Sequence, residues 1–260
     1  MITRSLVQIP VWLLGVLLVG GVPLLVVACQ ALIRRRWPTI LLGEHNEVAG
    51  FLIAVVGVLY AVILAFIVIV VWEDFRDARE TVSREAGALR SVVRDSRALP
   101  EPAPTRMGEL VVDYSRAVAG PEWEAMAVGD SSPVAFELLN RMFSTLEGVT
   151  TTSATQEVFL ADTLDRLDDV VGERTERLSA AAEGEPSILW AAILVGGAFT
   201  MGFAMLFGVS DERLHYLMIG GFAAIITLQV FVIVVLNYPF SGDVRVEPAP
   251  IERVVADLGG

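Results

Sequence analysis

Residues 48–71 form one uninterrupted apolar run, VAGFLIAVVGVLYAVILAFIVIVV, without a single charged side chain. An α-helix rises about 1.5 Å per residue, so about 20 apolar residues cross the ~30 Å hydrocarbon core of a bilayer. Residues 9–33, 188–207 and 217–236 are equally free of Asp, Glu, Lys and Arg. A charge at the centre of a membrane helix costs about 2.5–3.5 kcal/mol on insertion scales. These runs therefore predict four transmembrane helices.

The segment between the second and third runs is polar and strongly acidic. The chain carries a net charge of −12, nearly all of it in residues 72–187, so we expect no nucleic acid as a partner. From Phe75 onward, apolar residues recur every three or four positions, and nothing breaks this helical spacing before Pro100. The second transmembrane helix is therefore expected to continue beyond the lipid, to about Ala98.

The remainder of this segment also has helical patterns. Apolar residues at helical spacing predict a last long helix from about Ala154 to about Ala182, which ends before Pro186. The sequence shows no alternating strand pattern. We therefore predict an all-α fold, with four transmembrane helices and a helical-bundle domain inserted between helices 2 and 3.

These patterns divide the chain into four parts. The first transmembrane pair occupies residues 1–71, with helices at about 9–33 and 48–71. The acidic helical domain is expected at 72–187. The second transmembrane hairpin is expected at 188–236, with helices at about 188–207 and 217–236. Prolines after Leu236 predict an extended C-terminal tail over residues 237–260.

The side of the membrane on which the acidic domain lies is indicated by arginines near the membrane ends. An even number of crossings places both termini and the domain on one side, and cytoplasmic segments are enriched in Arg and Lys. Counted over the short segments alone, slightly more arginines lie on the opposite side of the membrane. The balance reverses when domain arginines within about 20 positions of a membrane end are added: Arg76, Arg79, Arg84, Arg90, Arg174 and Arg177. We expect a cell-membrane protein whose domain and termini are cytoplasmic.

Side chains suited to catalysis or metal binding are sparse. His45 and His215 fall in two loops on the same membrane side, but their spacing matches no metal-ligand pattern and favours ordinary interfacial residues. Cys29 follows an apolar run, as in a lipoprotein signal, yet the run continues to Ile33, which favours a membrane helix. Phosphate-binding glycine loops and nucleophile elbows are missing from the sequence. We expect no enzyme activity, no cofactor and no metal site.

Small residues recur on two of the membrane helices and predict close helix packing, because small side chains let helix backbones approach each other in lipid. This packing could lie within one subunit or between subunits. The predicted packing residues are Gly50, Ala54, Ala61 and Ala65 on the second helix, with Ala192, Gly196, Thr200 and Ala204 on the third.

Several strings resemble a bacterial membrane protein family of unknown function described as bestrophin-like. They are HNEVAGF at 45–51, VVGVLYA at 55–61, VWE at 71–73, SREA at 83–86, LFGV at 206–209 and PFSGD at 239–243. The likeness extends over nearly the whole chain from about Glu44.

The resemblance implies a function as well as a fold. Bestrophins are pentameric ion channels with four membrane helices, a large cytosolic helical domain between helices two and three, and a pore lined by helix two. It implies a homo-oligomer in the lipid bilayer, acting as a passive channel for small ions. A non-conducting membrane scaffold or sensor that recruits partners through its acidic domain is the alternative. On the channel interpretation, the expected pore-lining residues are Ile53, Gly57, Tyr60, Leu64 and Val68.

Overall fold

The computed structural model describes residues 2–36, 46–209 and 211–259. All regular secondary structure in these ranges is helical, which confirms the all-α fold class. The helices are α1 (Ile2–Val7), α2 (Val11–Arg36), α3 (Asn46–Ser96), α4 (Ala103–Ala117), α5 (Trp123–Met126), α6 (Pro133–Glu147), α7 (Ala154–Ala182), α8 (Ser187–Met205), α9 (Glu212–Leu236) and α10 (Ala249–Leu258). π-helical turns occupy Val16–Gly21 within α2 and Val118–Glu122 between α4 and α5.

Four candidate membrane spans lie in α2, α3, α8 and α9, each of which is long and apolar enough to cross a bilayer. This agrees with the four spans predicted from the sequence. The second span is part of a single helix of 51 residues, Asn46–Ser96, so α3 continues far beyond its apolar portion. It ends close to the expected position at Ala98.

The chain divides into two compact units. The membrane unit consists of Met1–Glu73, Glu185–Asn237 and Gly242–Val244. The helical unit consists of Asp74–Gly184, Tyr238–Ser241 and Arg245–Gly260.

Within the membrane unit, α9 packs along α2, while α3 packs on α8 and α9 through one stripe of its surface. Asn46 fixes the start of α3, because its amide donates to the Gly208 carbonyl at 2.8 Å and accepts from the Gly208 N–H at 2.9 Å. The buried residues shared by the three helices are Tyr60, Leu64, Ile67 and Val71 of α3, Ile193 of α8 and Ile233 of α9.

Within the helical unit, the seam predicted along α3 is buried. Ala78, Val82, Ala86 and Leu89 belong to one continuous apolar core with residues of α4, α6 and α7. Serines cap two of these helices, since the side chain of Ser132 accepts from Val134 N and that of Ser153 accepts from Gln156 N. The long helix expected from about Ala154 to Ala182 is α7.

The expectation of an extended tail is wrong for its last part. Residues Ala249–Leu258 form helix α10, whose Ile251 and Val254 are fully buried in the core of the helical unit. Pro248 and Pro250 stand at the start of this helix, where a missing N–H removes no intrahelical hydrogen bond. Prolines that suggested an extended chain therefore mark a helix N-terminus.

Candidate functional site

Tyr60, the one hydroxyl-bearing residue in the middle of the α3 apolar run, is buried in the membrane unit. Its hydroxyl donates to the Ile193 carbonyl of α8 at 2.8 Å. Its ring lies against two glycines of α8: a Cβ placed on Gly196 would lie 2.6 Å from Tyr60 Cδ2, and one on Gly197 would lie 2.9 Å from the hydroxyl oxygen. These glycines therefore make room for the tyrosine ring.

The five expected pore-lining residues share the stripe of α3 that packs inside the subunit. Tyr60 and Leu64 are 5% and 1% exposed, whereas Ile53, Gly57 and Val68 are half-buried. Three- and four-residue spacing places all five on the same side of the helix as the buried Ile67 and Val71. A role for this stripe in a pore remains a prediction.

The opposite face of α3 is not covered by the described residues of the chain. Its side chains are large and apolar, and all of these are exposed: Phe51, Val55, Val62, Phe66 and Ile69. An apolar face of this size on a membrane helix is covered by lipid or by another protein surface.

The predicted packing residues fall into two groups. Gly196, Thr200 and Ala204 of α8 lie inside the membrane unit, where Thr200 donates to the Gly196 carbonyl at 2.8 Å. Gly50 lies beside the Phe207 ring, with 3.5 Å between the ring and a Cβ placed on the glycine. The remaining four residues are exposed on the chain surface: Ala54, Ala61, Ala65 and Ala192.

The helical unit contains a buried charge network that sequence reasoning missed. Arg177 of α7 is the centre of this network and is fully buried. Its Nε donates to Glu85 Oε2 at 2.6 Å and its Nη2 to Glu85 Oε1 at 3.1 Å. The same Nη2 donates to Glu122 Oε1 at 2.8 Å. One guanidinium therefore joins carboxylates from α3 and from the turn before α5.

Further contacts complete the charge network. Arg174, one turn before Arg177, donates from Nη2 to Glu122 Oε2 at 2.6 Å. The hydroxyl of Tyr114 donates to Glu85 Oε1 at 2.6 Å. The network thus holds two arginines and two glutamates, so its formal charge is balanced. The Trp123 ring adds a cation–π contact, with its centroid 5.6 Å from the Arg177 guanidinium carbon.

Burial and charge shift the pKa values within the network. Burial raises the pKa of the Tyr114 hydroxyl well above its ordinary value, and the nearby Glu85 carboxylate raises it further. For Arg177, burial alone would lower the pKa, but Glu85 and Glu122 outweigh it and the pKa is raised. The arginine therefore stays charged and the tyrosine stays neutral at all physiological pH values.

A sequence signal for this network existed. Glu85 interrupts the apolar seam of α3 between Val82 and Ala86, and Arg174 and Arg177 continue the buried face of α7 after Val170. Opposite charges on two apolar helix faces predict a buried pair, because a lone buried charge is too costly. By sequence alone, Arg174 and Arg177 contribute only to the count of arginines near the membrane ends.

Of the two histidines, only His215 lies in the part of the chain that the structure describes, and it belongs to no metal-binding group there. His45 lies outside the described residues. His215 is 1% exposed, and neither ring nitrogen has a hydrogen-bond partner. Among the described residues, no group of His, Cys, Asp and Glu side chains is arranged to hold a metal ion. Cys29 is exposed on α2.

Comparison with known proteins agrees with this architecture. Residues 20–251 match the profile of the Bestrophin-like domain. The chain belongs to the Bestrophin-like family. A solved membrane protein carrying a proline-to-alanine substitution is similar in fold, with a TM-score of 0.70 and 14% identity over 93% of this chain and 98% of that one. No curated protein matches.

Two variants of a bacterial bestrophin homologue from Klebsiella pneumoniae also share the fold of this Bestrophin-like chain. The variant with an isoleucine-to-threonine substitution has a TM-score of 0.68 and 14% identity over 93% of this chain and 99% of that one. The variant with a leucine-to-threonine substitution has a TM-score of 0.64 and 17% identity over the same shares of the two chains. At these identities, the likeness is one of fold.

Proposed function

We propose that this Bestrophin-like protein assembles as a homo-oligomer in the cell membrane and conducts small ions passively. The proposal is supported most by α3, the helix that the family resemblance implicates in the pore. Only one stripe of its apolar part packs within the subunit, and the opposite face, Phe51 to Ile69, is left exposed. Several copies of the chain could enclose a path with this face.

Burial supports one choice of the face of α3 that would line the path. Tyr60 and Leu64 are held inside the subunit by α8 and α9, so in this packing they are not available to water or ions. Val55, Val62 and Phe66 point away from those contacts. A path lined by such residues is apolar, so it conducts only when water fills it. Its ion selectivity would then be set by residues outside this face.

Paired cysteine substitutions test the proposal. Val62→Cys and Leu64→Cys would each be made in a Cys29→Ala background and recorded in planar bilayers before and after a charged thiol reagent. We expect several-fold loss of current for Val62→Cys and little change for Leu64→Cys. The reverse result would assign the pore to the stripe first expected from the sequence.

The alternative is a non-conducting scaffold or sensor. It is favoured by the exposed carboxylates along α7, such as Asp162, Asp165 and Asp168, which could attract a basic partner. Electrical silence from an oligomer whose assembly has been verified would favour this alternative over conduction.

A cytoplasmic position for the helical unit and both termini belongs to the same proposal. Ser131 lies in a loop of the helical unit, and Arg213 lies at the start of α9. An impermeant thiol reagent applied to intact cells should label Arg213→Cys and spare Ser131→Cys. Labelling of Ser131→Cys alone would reverse the orientation.

A further inference from the structure

A cavity of about 520 Å³ opens in the membrane unit beside His215, at the start of α9. Its walls come from three helices, α3, α8 and α9, and from residues just after α8. Apart from the histidine, the lining is apolar and includes Gly57, Phe207, Met218 and Phe222. Its volume lies within the range of about 300–1,000 Å³ typical of small-molecule sites.

His215 is the polar group that makes this cavity unusual. The side chain is buried, and neither Nδ1 nor Nε2 has a hydrogen-bond partner among the residues that the structure describes. A buried polar group without a partner is costly, and such groups in native proteins are nearly always satisfied. A neutral imidazole offers one donor and one acceptor, which is also what a hydroxyl or a protonated carboxyl offers.

The position of His215 gives the cavity a polar end and an apolar end. The helix α9 begins at Glu212, capped by Asp211, so His215 lies in the first turn. Met218, Ile219 and Phe222 lie one to two turns further along the apolar part of the helix. An occupant would therefore meet one hydrogen-bonding group near the end of the span and hydrocarbon walls beyond it.

We propose that this cavity binds a single-chain lipid whose head group is one carboxyl or hydroxyl, hydrogen-bonded to His215. A membrane supplies such molecules at high local concentration, and their shape matches a site with one polar group and apolar walls. The assignment does not depend on whether the protein conducts ions.

A neighbouring groove provides an internal control. It has a volume of about 440 Å³, and its lining of α8 residues and Leu206 is apolar and contains no histidine. Gly57 lines the cavity and Gly202 lines the groove, and a side chain added at either glycine meets open space. Gly57→Leu therefore fills the cavity, and Gly202→Leu fills the groove by the same change.

The experiment uses the full chain in detergent with a photoreactive hexadecanoic acid, followed by peptide mapping of the labelled residues. We expect labelling around Met218 and Phe222 that is lost in Gly57→Leu and kept in Gly202→Leu. His215→Leu should raise the half-saturating concentration about 3- to 10-fold, the range expected for one hydrogen bond. Hexadecanoic acid and hexadecanol should compete with the probe, whereas hexadecane should compete poorly.

Other results would overturn the assignment. Equal competition by hexadecane, or unchanged labelling of His215→Leu, would mean that the cavity takes any hydrocarbon chain. No labelling near Met218 in a folded, assembled sample would mean that another protein surface covers the cavity. Because His215→Leu also removes an unpartnered polar group, thermal unfolding with and without hexadecanoic acid separates misfolding from lost binding. The acid should stabilise the wild type and have little effect on the variant.

Discussion

Arg177→Met should be among the most destabilising single substitutions in the helical unit. Methionine replaces the aliphatic stem of arginine with another unbranched chain, but it lacks the guanidinium that bridges Glu85 and Glu122. Both carboxylates are fully buried, so water cannot replace the lost partner. Removing one member of a buried ion pair costs about 3–5 kcal/mol, because the other charge is left uncompensated.

The structure shows which contacts of the charge network Arg177→Met removes. Arg177 makes two charge-assisted hydrogen bonds to Glu85 and one to Glu122. Arg174 still bonds Glu122 after the change, so the uncompensated charge falls mainly on Glu85. Adding Glu85→Leu to Arg177→Met should therefore recover a large part of the loss, since exchanging a buried ion pair for apolar residues is often neutral.

The assay is denaturant unfolding of the full chain in detergent, followed by tryptophan fluorescence. Trp123 is one of the five tryptophans, and its ring centroid lies 5.6 Å from the guanidinium carbon of Arg177. Arg166→Met on the same helix is the matched control. Arg166 is half exposed and pairs with Asp169 on the surface, so its loss should have almost no effect. Equal effects of the two substitutions, or no recovery in the double variant, would refute a stabilising role for the buried charges.

Three further predictions concern other parts of the chain. The pKa of Tyr114 is raised in the folded chain, so near pH 10 the unfolded chain loses a proton that the folded chain keeps. The free energy of unfolding should therefore fall above about pH 10, by up to about 1.4 kcal/mol per pH unit. Tyr114→Phe should remove this slope in unfolding measured across pH. Gly196→Ala should destabilise the membrane unit by about 1–3 kcal/mol in thermal unfolding, since the added Cβ would lie 2.6 Å from the Tyr60 ring. Gly57→Ala should be tolerated, because a Cβ placed there has no neighbour within 4 Å. Ile251→Ala should lower the denaturant midpoint by an amount equivalent to about 2–5 kcal/mol, while substitution of the exposed Glu252 should leave it unchanged.

The membrane spans and the long helices could be read from the sequence because their signals are local. Uncharged runs of bilayer length located α2, α3, α8 and α9, and apolar spacing located the extension of α3 and the helix α7. Helix α10 was missed because Pro248 and Pro250 dominated the interpretation, although Ile251, Val254 and Leu258 have helical spacing.

The candidate sites depend on which helix faces meet, and this information is not local. Tyr60 and Leu64 are on one side of α3 by spacing alone, but only the glycines of α8 determine that this side packs inward. The partners Glu85 and Arg177 are 92 positions apart in the chain. His215 could be noticed in the sequence, but its lack of partners could be seen only from the surrounding atoms.

The balanced charges around Arg177 also constrain which substitutions this chain can accept over time. An ancestor that lost only one of Glu85, Glu122, Arg174 or Arg177 would have carried an unpaired ion in its interior. Relatives that depart from this arrangement should therefore have replaced residues in opposite-charge pairs, through an intermediate of reduced stability. Aligned relatives should show correlated exchange between positions 85 and 177, and between positions 122 and 174, despite their distance along the chain.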